Sequence, residues 1–401
     1  QAEEDPLTGL PNLRALESHL QSGSQQAVCS LRIDNLDFLS RHYGLMMGVD
    51  CKRQIIRALQ PLLGAADKVF QVPGSELILV LGGPDPAARL NHMVAILNHK
   101  KFSWHNQPLD LEFGAAWSRY DGQGEALHPM LGQLSWLSEQ AGSERRVLAL
   151  DEEQELVVDQ TTEQVRLLMR VKQVLKARAL VLYAQPIQNA AGEGYYEILT
   201  RMRSGDNVIM PDQFIPLIVQ FNLSQRFDML VLETLFSSLH RHPGQQFSVN
   251  LLPSTLMQKD SAAQIIALFK RYGVSPGLIT IEVTEEQAFS NADTSQKNLE
   301  ALRAFGCAIA IDDFGTGYAN YERLKNLQAD IIKIDGCFVR DILTDPLDAI
   351  MVKSIVEMAR VKQMSVVAEY VESEPQKRRL LELGVNYLQG YLVGKPQPLN
   401  E

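Results

Sequence analysis

Four cysteines in 401 residues, none in a C-x-x-C pair, offer neither a zinc-binding pattern nor a disulfide framework. Cys29, Cys51, Cys307 and Cys337 are therefore expected to be reduced core residues in a cytoplasmic compartment. No apolar run reaches the ~18 residues of a membrane span, and no basic stretch followed by an apolar segment opens the chain. Positive charge is scarce as well. The 38 Lys and Arg against 48 Asp and Glu give a formal net charge of -10, which argues against general nucleic-acid binding through a basic surface. An acidic total still allows a local site for an anionic ligand built around metal ions.

What is present is ordinary globular material. Apolar residues make up 45% and charged residues 21%, and the length suffices for two separate cores. The chain opens inside what reads as a domain motif, as a fragment would. An upstream sensor or membrane anchor would then lie outside it, and these cytoplasmic domains would sit at the cytoplasmic face of the inner membrane.

In the first part, the turn-rich Asp5-Pro6-Leu7-Thr8-Gly9-Leu10-Pro11-Asn12 precedes a helical pattern over Leu13 to Leu20. Strand-like segments follow at 27–33, 68–72, 76–81 and 109–117, with helical spacing at 51–63 and 84–97. The alternation predicts a sheet covered by helices. Asp151-Glu152-Glu153 reads as a charged boundary, and 161–175 as a helix joining two domains. The expected divisions are 1–152, a linker and connecting helix at 153–176, and 177–401.

The second part alternates eight strand candidates, at 180–183, 195–200, 247–251, 278–283, 308–311, 331–334, 365–368 and 387–392, with mostly helical crossovers at 214–238, 261–272, 294–305, 318–326, 347–362 and 374–383. This predicts a (β/α)8 barrel. Residues 184–194 are too few for a crossover helix, so one strand is expected to run antiparallel. Polar residues recur at the strand ends: Glu197, Asn250, Glu282, Asp312 with Asp313, Lys333, Glu369 and Gln389. In a barrel these ends converge on one mouth. Five carboxylates gathered there repel one another unless cations are present. Oxygen donors without paired Cys or His favour Mg2+ or Mn2+, and two such ions bridged by one aspartate suit a phosphodiester. Taken singly, each residue also fits a bland role: Glu197 or Lys333 a surface charge, Asn250 a turn residue before Pro253.

The first part resembles a GGDEF domain, the fold of diguanylate cyclases, in its opening DPLTGLPN, the strand reaching Asp34 and the hairpin at 73–77. Its motif is eroded to Pro73-Gly74-Ser75-Glu76-Leu77, so Ser75 stands where the family has a metal-binding acid. Asp34 and Glu76 match the other acids. The guanine-binding segment shrinks to 39–44 without its Asn, and Gly64 replaces the product-inhibition Arg although Asp67 keeps its partner's place. The resemblance therefore implies a half that makes no cyclic dinucleotide and serves as a regulatory or dimerising domain.

The second part resembles an EAL domain, the cyclic di-GMP-specific phosphodiesterase family, over about 160–400. Tyr183-Ala184-Gln185-Pro186-Ile187, Glu197-Ile198-Leu199 with Arg201, Ser248-Val249-Asn250, Ile281-Glu282-Val283-Thr284-Glu285, Asp312-Asp313-Phe314-Gly315-Thr316-Gly317, Lys333-Ile334-Asp335 and Gln389-Gly390-Tyr391 stand in order. The resemblance implies hydrolysis of cyclic di-GMP to linear pGpG with two Mg2+ or Mn2+ ions. By it, Glu197, Asn250, Glu282 and Asp312 hold the first metal; Asp312 bridges to the second, held also by Asp313 and Glu369. It further implies that Lys333 orients the attacking water, that Gln185, Arg201 and Gln389 meet the substrate, and that Glu285 anchors the loop after Asp313. Glu372 matches an acid behind the ligands, and a homodimer through this domain is expected. Three positions depart from the family: Tyr370 for Gly, Met202 for Trp and Val219 for Glu. None removes a metal ligand. The competing expectation is a receptor or signalling scaffold that binds cyclic di-GMP without turnover, with Tyr370 or a locked loop disabling hydrolysis.

Overall fold

A computed structural model describes residues 3–21, 25–122, 127–290, 293–316 and 325–400. The chain divides into two compact units, Gln1–Val165 and Arg166–Glu401. In the first, strands β1 (Gln26–Asp34), β2 (Lys68–Gln71), β3 (Glu76–Leu81), β4 (Glu112–Tyr120) and β5 (Val147–Ala149) form one sheet in the order β2-β3-β1-β4-β5. Only β4 and β5 pair in parallel. The central strand β1 packs on both faces, with Cys29, Leu31 and Ile33 in one core and Val28 in the other. Ser30 and Arg32 interrupt the apolar run on the Val28 face.

The helix expected at 161–175 is longer, running Leu150–Ala177. Asp151, Glu152 and Glu153, which looked like a boundary, are its first turn, where the helix dipole favours negative charge. A helix at Leu36–Tyr43 went unpredicted. The single helical stretch expected at 214–238 is two helices, Pro211–Gln220 and Ser224–Ser238. The helix expected at 318–326 falls largely outside the described residues, as does Gly317.

The second unit is an eight-stranded closed barrel: β6 (Leu180–Gln188), β7 (Gly194–Ser204), β8 (Phe247–Asn250), β9 (Ile279–Thr284), β10 (Ala308–Phe314), β11 (Ile331–Ile334), β12 (Ser365–Ala368) and β13 (Tyr387–Gln389). From β7 to β13 each strand lies parallel to the next. Strand β6 is antiparallel to both β7 and β13 and closes the ring. The short connection after β6 is thus a hairpin, and one antiparallel strand is what a connection too short for a crossover demands. Helices such as Ser224–Ser238, Ser261–Tyr272 and Pro346–Val361 supply apolar faces to the main core, with Phe236, Phe269 and Val352 buried there. A small separate cluster joins Ile187, Tyr195 and Val367 with Ile331 and Tyr387. Cys29, Cys51 and Cys307 are buried as expected, but Cys337 is exposed because it lies on a short surface helix, Gly336–Val339. All four are free thiols. No described helix is long and apolar enough to cross a membrane.

A candidate metal centre at the strand ends

Alternation along a strand places every second side chain on one face. Tyr195 and Glu197 on β7, Ile331 and Lys333 on β11, Tyr387 and Gln389 on β13, and Val367 followed by Glu369 after β12 all keep this spacing. The lower member of each pair joins the small apolar cluster, and the upper member joins a polar layer one step above it.

Lys333 is the hub of that layer. It is 0% exposed, and its Nζ lies 3.0 Å from Glu197 Oε2, 3.0 Å from Glu282 Oε2, 3.2 Å from Glu369 Oε1 and 3.7 Å from Asp312 Oδ1. Around it the neutral donors are allotted to single carboxylates. Asn250 Nδ2 donates to Glu197 Oε1 at 2.8 Å, Gln389 Nε2 to Glu197 Oε2 at 2.6 Å, and Ser248 Oγ to Glu282 Oε1 at 2.7 Å. Gln389 Nε2 also reaches Gln185 Oε1 at 3.2 Å, and Gln185 Nε2 donates to the Gly394 carbonyl.

One cation cannot neutralise four carboxylates, and the titration of the group divides accordingly. Burial opposes the charge on Glu197, but Lys333 and the two amides outweigh it and hold that carboxyl below its ordinary range. Burial and then the charge of Glu197 push Glu282 far up, despite Lys333. Glu369 rises to about 8, through burial that Lys333 only partly offsets. Burial likewise disfavours the charge on Lys333, yet the surrounding carboxylates raise it well above an ordinary lysine.

A second grouping lies beside the first. The carboxylates of Asp312, Asp313 and Glu369 each bring an oxygen within 4.8 Å of the others, a cluster that could hold a metal ion. Consecutive residues of a regular strand face opposite ways, so two adjacent aspartates need a device to serve one site. It is a bulge: Ile311 pairs with Ile332 but Phe314 with Ile334, and Asp313 takes a φ of 52°. Asp313 is raised to about 6 by burial, then by the charges of Asp312 and Asp335.

The donor set suits a hard divalent cation: carboxylates with an amide oxygen, and no thiol or imidazole. Among the described residues, the buried oxygens Glu369 Oε2 and Gln389 Oε1 have no hydrogen-bond partner, as atoms suited to such an ion do.

The remaining candidates sit farther out. Glu285 Oε2 accepts the Gly315 amide at 3.0 Å, so a buried carboxylate grips the loop after the aspartates. Gly315 has φ 101° with the Phe338 ring against it, where a Cβ would meet Cε2 at 2.6 Å. Arg201 donates to the Thr200 carbonyl and lies 5.1 Å above the Tyr183 ring. Glu372 is exposed, with its backbone amide donating to Gln376. Met202 is fully buried and Val219 exposed.

Three residues received no role from the sequence. Ser248 shares the strand face of Asn250 but has no charge to mark it. Asp228 is buried and accepts from the Leu252 amide and the Thr255 hydroxyl, fixing the turn that follows Asn250. Tyr195 keeps a buried hydroxyl without a hydrogen-bond partner beneath the charged layer. Tyr370 lies in the left-handed region with φ 57° and is 67% exposed. Its hydroxyl is raised by burial and then by Glu369, Asp313, Asp335 and Asp312.

In the first unit the eroded motif is occupied by local structure. Ser75 Oγ accepts the Asp37 amide at 3.0 Å, and Glu76 accepts from Ser30 and Ser135. Asp67 is taken by Arg89 and the amides of Gly64 and Gly82.

Comparison with known proteins agrees with both halves of the reading. The family model for the EAL domain matches residues 168–396, and that for the diguanylate cyclase GGDEF domain matches residues 2–130. Over 403 residues the chain is 58% identical to the probable cyclic di-GMP phosphodiesterase PdeA of Escherichia coli K12, covering 100% of this chain and 55% of that protein. It is 36% identical over 406 residues to the cyclic di-GMP phosphodiesterase PdeF of the same organism, covering 98% of this chain and 54% of that one. The chain thus spans about half the length of the curated relatives it matches. A solved structure of the PaMucR phosphodiesterase in a c-di-GMP complex aligns at TM-score 0.54 with 35% identity, covering 58% of this chain and 98% of that one. The S helix-GGDEF-EAL portion of Vibrio cholerae LapD aligns at 0.54 over 98% of this chain and 96% of its own; at 15% identity this speaks for the fold alone.

Proposed function

Because the chain belongs to the EAL domain family and carries a GGDEF domain ahead of it, we propose that it hydrolyses cyclic di-GMP to linear pGpG. The observation that carries this is the strand-end layer. Lys333 is buried among four carboxylates, and Asp312, Asp313 and Glu369 cluster beside it. The relatives PdeA, named a probable cyclic di-GMP phosphodiesterase, and PdeF, named a cyclic di-GMP phosphodiesterase, and the PaMucR phosphodiesterase in its c-di-GMP complex support the choice of substrate.

The residues that would hold Mg2+ or Mn2+ are Glu197, Asn250, Glu282 and Asp312 on one side and Asp312, Asp313 and Glu369 on the other. Two such ions supply Lewis acidity for the phosphate oxygens and lower the pKa of water. Hydrolysis adds one water across one phosphodiester: the P–O3′ bond breaks, the 3′ oxygen gains a proton, and the 5′-phosphate stays on the linear product. Lys333 contributes a donor fixed by its carboxylate partners, able to orient the attacking water. Glu369 and Asp313, raised to about 8 and about 6 by burial and neighbouring charge while no cation is bound, would give up their protons to serve as carboxylate ligands. Gln389 and Gln185 form a bonded amide pair beside Glu197, placed to steady substrate or water. Arg201 offers a planar, permanently charged fork to phosphate or guanine.

The first unit is proposed to make no cyclic dinucleotide. Ser75 supplies a hydroxyl where a metal-binding acid is needed, and that hydroxyl is engaged with the Asp37 amide. Incubating the hydrolysis-deficient Glu197→Ala variant of the 401-residue protein with GTP and Mg2+ should give neither cyclic di-GMP nor pGpG; measurable synthesis of either would reject this part.

The main test is incubation of the purified protein with cyclic di-GMP and Mg2+ or Mn2+, with products resolved by chromatography. Linear pGpG should accumulate, EDTA should stop it, and Glu197→Ala should abolish it. Tight binding with no turnover under either metal would favour a receptor instead.

A further inference from the structure

We propose that Tyr370 is a stacking wall for one guanine base of the substrate, seated by the missing side chain of Gly336. This rests on the cyclic di-GMP reading above and names a contact within it. Three observations carry it. First, Tyr370 holds φ 57°, where a bulky residue is a true outlier. Such strain persists where the surroundings over-determine it, and it gathers at ligand sites.

Second, the ring lies directly on the Gly336 backbone. A Cβ at position 336 would come 2.4 Å from Tyr370 Cδ2, 2.8 Å from Cγ and 3.0 Å from Cβ. Gly336 itself has no positive φ, so its conformation does not require glycine; the space does. Because the clash reaches back to Cγ and Cβ, a tyrosine tip swinging aside would not relieve it. The glycine therefore selects the ring's position.

Third, the ring does not serve the core. It is 67% exposed while directly following Glu369, one of the clustered carboxylates. A dinucleotide whose phosphate sits at that cluster has its bases about one nucleoside away, within reach of the adjacent ring. A purine laid on the open face would cover apolar area that the fold leaves in water, and such stacking tolerates any purine of the right reach.

The test combines steady-state kinetics with Mn2+ and calorimetric binding of a non-hydrolysable phosphorothioate analogue of cyclic di-GMP, with thermal melting as a check on folding. Tyr370→Ala should raise Kd and KM about tenfold, as loss of one base–aromatic stack does, with kcat within about twofold. Tyr370→Phe should keep wild-type values, which separates the ring from its hydroxyl. Tyr370→Gly removes the ring without backbone strain and should lose affinity as Tyr370→Ala does. Gly336→Ala should reproduce the loss by displacing the ring, and adding it to Tyr370→Gly, which removes the Cβ as well, should cost nothing more. Unchanged affinity in Tyr370→Ala would overturn the assignment. So would a fall in kcat at constant KM, which would make the residue a support for Glu369, or a gain of turnover in Tyr370→Gly, which would make the ring an obstacle. If the wild-type protein neither binds nor hydrolyses cyclic di-GMP, the phosphodiesterase reading fails and this inference with it. If the wild type turns over and the variants match it, only the stacking assignment fails.

Discussion

Lys333 Nζ and Glu282 Oε2 lie 3.0 Å apart with both side chains wholly buried, at the ends of strands separated by 51 residues of sequence. The same Nζ lies 3.0 Å from Glu197, the carboxyl held ionised, and removing the cation from such a buried pair leaves that charge uncompensated, at a cost of about 3–5 kcal/mol. Lys333→Met should destabilise the barrel by about that amount in urea at pH 8 without metal. Mn2+ should restore part of the loss by replacing the missing positive charge. An equal stability with and without Lys333, measured in metal-free buffer, would contradict its role as hub.

Metal binding should release protons. Without a cation Glu369 ionises only near pH 8 and Asp313 near pH 6, so at pH 7 Glu369 is mostly protonated. A cation needs both as carboxylates, and its affinity should therefore rise from pH 6 to 8 and level off above. Calorimetric titration with Mn2+ at pH 7, in buffers of different ionisation enthalpy, should report release of about one proton or more. A buffer-independent heat would speak against Glu369 as a ligand.

Asp228 gives a separate pH signature. Burial raises its folded pKa from 3.8 to about 7, against the pull of its two hydrogen bonds. Between those values the folded state binds more protons than the unfolded, so stability is lost as pH rises through the interval and is level above it. The full loss is roughly 4 kcal/mol by the pKa difference. Asp228→Asn should flatten that slope while keeping an amide oxygen to accept from Leu252 or Thr255. Melting curves of both proteins from pH 4.5 to 8 decide it; parallel profiles would remove Asp228 as the source.

Glu285 should matter for turnover more than for affinity. Its carboxylate holds the Gly315 amide two residues past Asp313, and a misplacement of about 1 Å costs some 10²-fold in rate. Glu285→Ala should lower kcat by tens of fold with Kd for cyclic di-GMP nearly unchanged. In the same unit Leu343, Leu347, Ile350 and Met351 are exposed, and the homodimer expected from the sequence would give apolar side chains of this kind a cover. Sedimentation and specific activity over one dilution series should fall together as a dimer dissociates. A monomer with concentration-independent activity would dismiss the coupling and leave the metal site standing.

The barrel and most of its polar layer were legible because both follow from alternation. Glu197, Lys333 and Gln389 each stand two residues beyond an apolar inward position, so strand periodicity alone places them together. The bulge was not legible: Asp312 and Asp313 as neighbours predict opposite faces, and only the shifted pairing with β11 brings both to one cluster. Nor was the division of labour, since a lysine among strand-end acids does not announce contact with four of them. Tyr370 was visible as a departure from the family pattern, whereas its dependence on Gly336, 34 positions earlier, is a packing fact that no local window contains.

The antiparallel strand β6 has a consequence for how the molecule is made. Its hairpin with β7 can form early, from neighbouring sequence, but its other edge waits for β13 at the far end of the chain. The same late strand brings Gln389 to Gln185 across 204 residues, and to Glu197. A nascent chain still lacking that strand holds an open ring with two unpaired edges and an incomplete set of site residues. The proposed hydrolytic competence is thereby deferred until residues 387–389 have been made, and a product stopped before them should be inert even where most of the barrel's helices have already folded.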